Sequence, residues 1–399
     1  MKILMLTPYL PYPPSTGGHV RSYNLIKQLA KRHQITLVCF TRDHNTQEQV
    51  DHMREYCRKV IVFERGRAWT IPNILRTGFS PYPFLVMIYY SPEIRERISE
   101  EIKRGNYDLI HVETFYVMPY LPPHSLPTVL VEQTIMSRVF GHHIDTEKNW
   151  WLKPAMWVDV AKIRYWERHF WKAADRLVAV SNEDAGIMKK MVTGLDVRVV
   201  PNGVGEDFAD IPPKLHYNHT ILYMGNYKWI QNWEAAEILA TKVFPIIKKE
   251  IEDAKLVIAG QFPTPRLKKL ESESVKVVEL ADDDRKGVVS SYLNSGLLVA
   301  PIYGPGGTRL KILAAMASMV PVVTTPIGAE GYGATQRESI LVGKAPEDLA
   351  REAVGVIKNE KLYKKIAFSA RKLVDTKFSW EGISQNLEDI YKEMIDVKK

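Results

Sequence analysis

The chain has 399 residues, of which 45% are apolar, 10% aromatic and 25% charged. This composition is typical of globular proteins and excludes a disordered, collagen-like or disulfide-stabilised chain. The length predicts two or three domains. The two cysteines, Cys39 and Cys57, cannot form a disulfide framework or a cysteine-based zinc site, which fits a reducing cytoplasm.

Positive charge is concentrated in the first half of the chain. Residues 1–200 carry 27 Lys and Arg against 20 Asp and Glu, a net charge of +7, and residues 201–399 carry 27 against 26, a net charge of +1. This excess predicts an anionic partner such as phosphate, anionic lipid or nucleic acid. Nucleic acid is disfavoured because the sequence has no basic tract and no nucleic-acid-binding motif.

Hydropathy indicates a cytoplasmic protein. The chain opens with an apolar strand pattern at residues 3–6 rather than with a secretory leader. The longest apolar run, at residues 83–90, is far shorter than the ~20 residues that span a bilayer. We therefore expect a cytoplasmic protein whose membrane contact, if it has one, is peripheral and on the inner face.

Apolar runs alternate with amphipathic stretches through the first half, which predicts a parallel sheet covered by helices. The predicted helices cover residues 19–32, 92–104 and 161–174. The predicted strands cover residues 2–6, 34–40, 60–63, 109–112, 128–131, 176–180 and 197–200.

The alternation begins again after residues 210–218, a polar stretch that we interpret as a linker. The sequence thus predicts an α/β protein with two doubly wound, Rossmann-like domains, residues 1–209 and 210–379, separated by a cleft. The predicted strands here cover residues 221–224, 255–259, 275–279, 297–301 and 322–325, and the predicted helices cover residues 233–250, 265–271, 285–294 and 309–319.

The loop after the first strand, residues 7–21, has the sequence TPYLPYPPSTGGHVR. Gly17 and Gly18 come at the predicted helix start, where bare backbone can approach a phosphate or sugar closely. His19 and Arg21 follow on the first helical turn. A proline-rich turn with glycines for geometry alone is the alternative interpretation. The dinucleotide motif GxGxxG is absent, which disfavours a dehydrogenase.

Two loops of the second half carry cations. Lys228 follows the strand that ends before Gly225 and Asn226, where it could reach a diphosphate or simply be a solvated surface lysine. A glycine-rich loop at residues 304–307 leads into a predicted helix whose first turn holds Thr308, Arg309 and Lys311. Because cations at a helix N terminus oppose the helix dipole, this arrangement favours a bound anion such as phosphate. The P-loop motif is absent.

With these loops in order, the chain resembles the retaining, GT-B-fold, nucleotide-sugar-dependent glycosyltransferases of family 4. The resemblance covers nearly the whole chain. Each matching segment, or mark, is only loosely similar to the family pattern, but the order and spacing of the marks are informative. The marks are residues 17–18, 174–175, 180–183, 200–204 (VPNGV), 225–232, 257–260 (VIAG), 304–317, 321–323 and 378–380 before a last helix.

The resemblance implies that the first domain binds the acceptor, that the second binds the nucleotide sugar, and that a last helix, residues 380–399, returns to the first. Lys228, Arg309 and Lys311 would neutralise the diphosphate, and Leu280 would lie near the base. The implied substrate-binding residues are Gly17, Gly18, Arg21, Gly225, Asn226, Leu280, Gly306, Gly307, Thr308, Lys311, Ala314 and Glu330, and the implied catalytic residues are Lys228, Arg309, Glu132 and Gln133.

The sequence departs from the family pattern at Ala314, at Gly306 and at the pair Glu132 and Gln133. Members usually have a ribose-binding glutamate where Ala314 stands, and a partner glutamate would fall at Gly306. Losing such charged hydrogen bonds costs about 1.5–3 kcal/mol each. Glu330 is a candidate replacement. In the first domain, Glu132 and Gln133 stand where many relatives have a histidine near the sugar.

The donor is expected to be a nucleotide diphosphate sugar, used without a resident cofactor or metal. Cations and a helix N terminus can stabilise the leaving diphosphate without a metal. The acidic run at residues 282–284 begins a predicted helix, where it is better explained as N-capping charge. The expected acceptor is a glycan or a lipid-linked glycan in cell-surface polysaccharide synthesis.

An aromatic and basic segment spans residues 150–172. Such a composition suits a membrane interface and a lipid-linked acceptor, although a core-packing helix with a solvated face explains it equally well. Residues 79–90 have the same two interpretations. The segment contains Trp150, Trp151, Trp157, Trp166 and Trp171, interleaved with Lys153, Lys162, Arg164, Arg168 and Lys172.

Two other functions remain open on the sequence. A UDP-sugar epimerase of the same fold would need acid–base groups, for which Glu113 and Glu132 are candidates. A donor-impaired relative that acts as a binding or scaffold protein is suggested by Ala314.

Overall fold

The computed structural model describes residues 1–42, 46–306 and 308–398. The chain forms two compact units, Met1–Pro201 with Trp380–Lys399, and Asn202–Ser379. Each unit is built on one parallel sheet.

The first unit has a seven-stranded sheet in the order β3-β2-β1-β4-β5-β6-β7. The order reverses next to β1, which is the arrangement of a doubly wound Rossmann-like sheet. Each of the seven predicted strands is present. The strands are β1 (Lys2–Thr7), β2 (Gln34–Thr41), β3 (Lys59–Glu64), β4 (Leu109–Glu113), β5 (Thr128–Glu132), β6 (Arg176–Ala179) and β7 (Val197–Val199).

The helices of the first unit extend beyond the three that the sequence predicts. The long helix predicted at 161–174 begins at Lys153, because Pro154 is tolerated in the first turn of a helix, where its missing N–H has no partner to lose. The helices are α1 (Gly17–Leu29), α2 (Gln47–Arg54), α3 (Ile71–Phe79), α4 (Phe84–Met87), α5 (Pro92–Gly105), α6 (Met136–Thr146), α7 (Lys153–Ala173) and α8 (Asn182–Met191), with a 3-10 turn at Phe115–Tyr120.

The second unit has a six-stranded parallel sheet in the order β10-β9-β8-β11-β12-β13. The five predicted strands are present, and the two-residue strand β13 is an addition. The strands are β8 (Thr220–Asn226), β9 (Lys255–Gln261), β10 (Val275–Glu279), β11 (Leu297–Ala300), β12 (Val322–Thr324) and β13 (Leu341–Val342).

One predicted helix of the second unit, at 233–250, is interrupted by a π-helical segment, Leu239–Val243. Pro245 follows this segment, and a proline removes a backbone hydrogen bond and crowds the preceding turn, so the regular helix cannot continue through it. The helices are α9 (Glu206–Ala209), α10 (Ile230–Ile238), α11 (Phe244–Glu250), α12 (Pro265–Lys268), α13 (Arg285–Leu293), α14 (Leu310–Ala317), α15 (Pro346–Ile357) and α16 (Glu360–Lys377).

The last helix, α17 (Trp380–Lys398), belongs to the first unit, as the resemblance implies. Its apolar side, which includes Leu387 and Tyr391, is buried in the same core cluster as Leu25 and Ile26 of α1. A terminal helix of this kind adds an apolar face to a core that the rest of the chain leaves open.

The division between the units falls after Pro201, earlier than the predicted boundary at residue 209. The backbone N–H of Val204 donates to the carbonyl of Phe378 at 3.1 Å. Phe208 is buried in a core cluster of the second unit. Residues 202–209 therefore pack with the second unit before the polar stretch at 210–218 begins.

Both faces of the first sheet are covered. Along β1, Leu4 and Leu6 are buried on one face, and Ile3 and Met5 are buried on the other. Two-sided burial is the reason why parallel strands appear in the sequence as continuous apolar runs. Among the described residues, no helix has both the length and the apolar character to cross a bilayer.

Candidate active site

Two glycines at the carboxyl ends of β8 and β9 allow these strands to approach closely. A Cβ on Gly260, which has φ +141°, would lie 1.9 Å from the carbonyl oxygen of Gly225. A Cβ on Gly225 would in turn lie 3.1 Å from the side chain of Asn232. The predicted substrate-binding residue Gly225 is thus explained by close packing at the strand end.

The β8 loop is held by the Asn226 side chain. Its Oδ1 accepts from the backbone N–H of Lys228 at 3.1 Å, and its Nδ2 donates to Gln261 Oε1 at 2.7 Å. Its carbonyl accepts from Asn232 Nδ2 at 2.8 Å. Asn226 therefore positions the loop that carries Lys228.

Lys311, one residue into α14, points its ammonium group at this loop. Its Nζ donates to Asn232 Oδ1 at 2.7 Å and to Tyr223 Oη at 3.0 Å, and lies 4.3 Å from the centroid of the Tyr223 ring. Hydrogen bonds thus run from Lys311 through Asn232 and Asn226 to the backbone of Lys228. Asn232 and Tyr223 were not predicted as site residues, although Asn232 ends a segment that carries the resemblance.

The pKa of Lys311 is lowered from its ordinary 10.5 to about 7, first by burial and second by the charge of Arg309. A lysine in this state is poised to gain a proton when an anion approaches, because an anion favours the charged form. Lys311 is half-buried, and the oxygens of Tyr223 and Asn232 to which it donates are neutral.

Arg309 connects the glycine-rich loop to the start of α14. Its Nη2 donates to the carbonyl of Gly304 at 2.9 Å. Its backbone N–H donates to Tyr332 Oη at 2.7 Å, and Tyr332 Oη donates to the Arg309 carbonyl at 2.8 Å. The exposed Glu330 lies two residues from Tyr332, on the same loop. Tyr332 is a further residue that the sequence did not reveal.

Lys228 lies at the exposed tip of the β8 loop. Its Nζ is 3.3 Å from the centroid of the Phe262 ring, which follows β9. An ammonium group over an aromatic face is held weakly, by about 0.5–1 kcal/mol at an exposed site. Lys228 is therefore positioned but remains able to change partner.

The remaining predicted residues of the second unit lie beside α14. Leu280 and Ala314 are buried in one core cluster, so Ala314 offers only a methyl group at a position 6% exposed. Thr308 is buried just before the helix, and Gly306 has φ +140°, which favours glycine. Gly307 lies outside the described residues.

The acidic run that opens α13 caps that helix, as the sequence predicted. Asp284 is the N-cap residue, and its Oδ1 accepts from the backbone N–H of Gly287 at 2.8 Å. In the part of the chain that the structure describes, no group of three or more His, Cys, Asp or Glu side chains is arranged to hold a metal ion.

In the first unit, Gly18 lies against two side chains at the carboxyl edge of the sheet. A Cβ on Gly18 would lie 2.6 Å from Tyr9 Oη and 2.8 Å from Gln133 Oε1. Gln133 Nε2 donates to Tyr9 Oη at 2.8 Å and to Glu113 Oε2 at 2.6 Å. The structure thus brings Gly18 and Gln133 together, while Gly17 is exposed at the start of α1.

Arg21 is fully buried, which argues against its predicted substrate-binding role. Its Nη1 donates to the carbonyls of Val200 and Pro201, both at 3.0 Å, and its Nε lies 3.6 Å from Glu113 Oε1. The guanidinium group ties the chain leaving β7 to the interior of the first unit. We therefore correct its role to a structural one.

Glu113 is the centre of a buried polar network. Burial acts to raise the pKa of its carboxyl, but a hydrogen bond from His111 and the charge of Arg21 outweigh it and hold the pKa below its usual range. His111 Nε2 lies 3.1 Å from Glu113 Oε1, and its Nδ1 lies 2.6 Å from Tyr391 Oη on α17. The network links Gln133 to the terminal helix.

Glu132 is also buried, which argues against its predicted catalytic role. Its Oε1 accepts from Trp171 Nε1 at 2.9 Å and from the backbone N–H of Phe115 at 3.2 Å. Burial, and then the nearby Glu167, raise the pKa of Glu132 well above its usual range. A buried carboxyl that accepts hydrogen bonds from two interior donors has a structural role.

The tryptophans of the basic segment separate into two classes. Trp171 is buried against Glu132, and Trp166 stacks on Tyr82 with ring centroids 4.4 Å apart, as a core-packing helix requires. Trp150 and Trp151 are exposed, as an interface would require. Each interpretation of the segment therefore applies to a part of it.

Two family models match the chain. Residues 15–208 match the model described as Glycosyltransferase Family 4, and residues 218–359 match the model described as Glycosyl transferases group 1. The first match lies mainly in the first structural unit and extends a few residues into the second, and the second match lies within the second unit.

Among the relatives, an uncharacterized 44.6 kDa protein in the cps region of Klebsiella pneumoniae is 21% identical, over 98% of this chain and 99% of its own. Among solved structures, a sucrose-phosphate synthase from Thermosynechococcus elongatus has a TM-score of 0.72 at 15% identity, covering 100% of both chains. Anabaena HepE in complex with UDP-glucose has a TM-score of 0.63 at 14% identity, covering 98% of this chain and 100% of that chain. These structural similarities establish a shared GT-B fold.

Proposed function

Because this chain belongs to the glycosyltransferases of family 4 and group 1, we propose that it transfers a sugar from a nucleotide diphosphate sugar with retention of anomeric configuration. The acceptor is a glycan or a lipid-linked glycan. The place of the similar Klebsiella protein in a cps region supports a role in polysaccharide synthesis. HepE, whose fold is similar, binds UDP-glucose, which supports a nucleotide sugar as donor.

The observation that carries the proposal is Lys311, whose ammonium group is bound to Tyr223 and Asn232 and whose pKa is lowered to about 7. A bound diphosphate would give the Lys311 ammonium group a negatively charged partner beside the neutral oxygens of Tyr223 and Asn232. Arg309, at the N-cap of α14, and Lys228, on the β8 loop, come from the two neighbouring loops. The positive end of α14 adds to the same field.

In the proposed reaction, the bond between the anomeric carbon and the diphosphate oxygen breaks as the acceptor oxygen bonds to that carbon from the same face. The acceptor proton passes to the departing phosphate oxygen. Lys311, Arg309 and Lys228 stabilise the negative charge that develops on the diphosphate, which is the charge that a transferase of this class must stabilise. No resident cofactor or metal is part of the proposal.

Ala314 favours a second candidate function, a relative with impaired donor binding that serves as a binding or scaffold protein. The buried methyl group cannot accept a hydrogen bond from a ribose hydroxyl. Glu330, exposed on the loop that contacts Arg309 through Tyr332, is the carboxylate that we propose in its place. The epimerase alternative is disfavoured because Glu113 and Glu132 are both occupied by interior partners.

A transfer assay tests the proposal. The protein is incubated with UDP- and GDP-sugars and simple glycan acceptors, and proton NMR of the product reports the anomeric configuration. Retention, with a loss of at least about tenfold in rate for Arg309→Ala, supports the proposal. Lys242→Ala, a change to an exposed lysine of the π-helical segment, is the matched control. Inversion, or turnover without transfer, contradicts it.

A further inference from the structure

Helix α3 of the first unit presents its apolar side to solvent. Of its nine residues, all within the described chain, only Asn73 and Thr77 are half-buried, and none is buried. Phe79 is 92% exposed and Ile71 is 74% exposed. We define the apolar face of α3 as the exposed side chains of Trp69, Ile71, Ile74, Leu75 and Phe79.

The polar side of α3 is the side that faces the protein. Asn73 Nδ2 donates to the carbonyls of Arg67 and Ala68 at 3.1 and 2.9 Å. The carbonyl of Thr77 accepts from Lys162 Nζ of α7 at 2.7 Å. This is the reverse of an ordinary surface helix, whose apolar stripe packs on the core. Four large apolar side chains of α3 therefore lie on its solvent side, and Trp69, which precedes the helix, is 80% exposed.

The apolar face continues onto the start of α7. The Trp69 ring stacks on Phe84 at a centroid distance of 4.5 Å, and the backbone N–H of Phe84 donates to Asp159 Oδ1 at 2.8 Å. Val158, beside Asp159, is exposed, as is Trp157. Helices α3 and α7 thus both expose large apolar side chains in the first unit, and clusters of exposed apolar side chains commonly mark an interaction surface.

Positive charge is concentrated on α7, the helix that also exposes Trp157 and Val158. A groove of about 430 Å³ along α7 is lined by Ala161, Arg164, Tyr165, Arg168, His169 and Lys172. Arg76 is exposed on α3 itself, where its guanidinium carbon lies 5.6 Å from the Tyr90 ring centroid. Tryptophan, tyrosine and basic side chains around an apolar face are the composition that sits at the interface of an anionic bilayer.

We propose that the apolar face of α3, together with the basic groove of α7, docks the first unit onto an anionic phospholipid bilayer. The apolar side chains enter the boundary between headgroups and acyl chains, and Arg164, Arg168 and Lys172 contact lipid phosphates. This inference stands apart from the transferase activity, because it rests on the composition and orientation of α3 and α7 alone.

The charge pattern favours a bilayer over a second copy of the chain. A two-fold symmetric interface places the same patch of each copy against the other. The basic grooves of two copies would then approach each other, and like charges repel. An anionic bilayer neutralises the same groove. The excess of positive charge in residues 1–200 points the same way.

The position of α3 along the chain relates the docking surface to the acceptor. Helix α3 follows the carboxyl end of β3, and α6 and α7 follow the carboxyl end of β5. Ligands of open α/β sheets bind at this edge. A bilayer contacted by α3 therefore presents lipids on the side of the first unit where an acceptor is expected to bind.

Vesicle flotation with the full chain tests the proposal. The vesicles consist of phosphatidylcholine alone, or of phosphatidylcholine with about one lipid in three replaced by phosphatidylglycerol. The test variant combines Ile71→Ser, Ile74→Ser and Phe79→Ser, which changes exposed side chains only. The control is Phe368→Ser on α16 of the second unit, where the apolar side chain is 56% exposed, close to the 52% of Ile74. Thermal unfolding confirms that each variant is folded.

Wild-type protein and the control are expected to float with anionic vesicles and, more weakly, with neutral ones, and raised salt reduces the difference. The triple variant is expected to need at least about tenfold more lipid for half-maximal binding. Absence of flotation with anionic vesicles, or equal flotation of the triple variant, overturns the proposal. The proposal is also overturned if light scattering detects a dimer of the wild-type protein that the triple variant does not form, and none of the proteins binds vesicles.

Discussion

Lys311 Nζ and Asn232 Oδ1 lie 2.7 Å apart, which joins the first turn of α14 to the start of α10. The same asparagine donates to the Asn226 carbonyl at 2.8 Å. One amide side chain thus holds a lysine with a lowered pKa against the loop that carries Lys228. A nucleotide diphosphate at this place would meet two lysines whose positions are set before it binds.

The proposed role of Lys311 predicts a pH dependence of donor binding. The pKa of Lys311 is about 7 in the free protein, so the group gains a proton when an anion binds. Affinity for UDP is expected to fall as the pH rises above 7, by up to about tenfold over one pH unit. Calorimetry in buffers of different ionisation enthalpy measures the proton uptake. Lys311→Met should show weaker binding, by about tenfold to a hundredfold, and no uptake from this group.

The same pKa has a consequence for stability. The unfolded chain holds the Lys311 proton up to its ordinary pKa of 10.5, whereas the folded chain loses it near 7. Between these values the unfolded state binds more protons, so this group makes the free energy of unfolding rise with pH. Lys311→Met removes that contribution. Denaturant titrations at several pH values measure it, and an unchanged pH profile in the variant would contradict the lowered pKa.

The structural assignment of Glu132 predicts that its charge is dispensable. Burial raises the pKa of the Glu132 carboxyl well above its usual range, and Glu132→Gln preserves the size of the side chain and its acceptor oxygen. We expect transfer activity within about threefold of wild type, whereas Trp171→Phe, which removes the indole donor, lowers the free energy of unfolding by about 1 kcal/mol. A loss of transfer beyond tenfold in folded Glu132→Gln would restore Glu132 as a catalytic group.

Gly18 is predicted to tolerate no side chain. A Cβ there would lie 2.6 Å from Tyr9 Oη and 2.8 Å from Gln133 Oε1, so Gly18→Ala must displace both side chains and is expected to cost about 1–3 kcal/mol of unfolding free energy. The control is Gly186→Ala in α8, where a Cβ meets nothing within 4 Å and alanine favours the helix. Thermal unfolding should separate the two variants in opposite directions. Equal shifts would contradict the packing argument.

Ala314→Glu tests the missing carboxylate. On α14, position 314 lies three residues after Lys311, close enough for a carboxylate to meet its ammonium group. If the alanine limits donor binding, the variant binds a nucleotide sugar more tightly, by about tenfold, as one charged hydrogen bond would give. Ala314→Gln is the control for size without charge. Unchanged affinity in folded Ala314→Glu would remove this explanation.

Most of the fold was predictable because buried parallel strands are continuous apolar runs, and β1 at Lys2–Thr7 shows this most plainly. The two-residue β13 is too short to leave such a run. Helix α3 was missed because it has only nine residues and includes Pro72 and Gly78, residue types that more often mark a turn. The capping role of Asp284 was visible because a cap depends on neighbours in sequence.

Site residues were predictable only where a local signal exists. Lys311 follows a glycine-rich loop, and a positively charged side chain at the start of a helix indicates an anion-binding site in the sequence alone. Arg21 was misassigned because its partners, the carbonyls of Val200 and Pro201, are far away along the chain. Asn232 and Tyr332 were missed for the same reason, because Lys311 and Arg309, the residues they hold, are far from them along the chain.

Calorimetric titration with UDP, GDP and their sugar conjugates measures whether the second unit binds a nucleotide diphosphate sugar, and a dinucleotide serves as control. We expect that one nucleoside diphosphate binds, that the dinucleotide does not, and that Lys311→Met weakens this binding while Lys242→Ala leaves it unchanged. Failure of every nucleotide to bind the folded protein would contradict the donor site on the second unit. Vesicle binding by the first unit does not depend on this result, and the flotation experiment tests it separately.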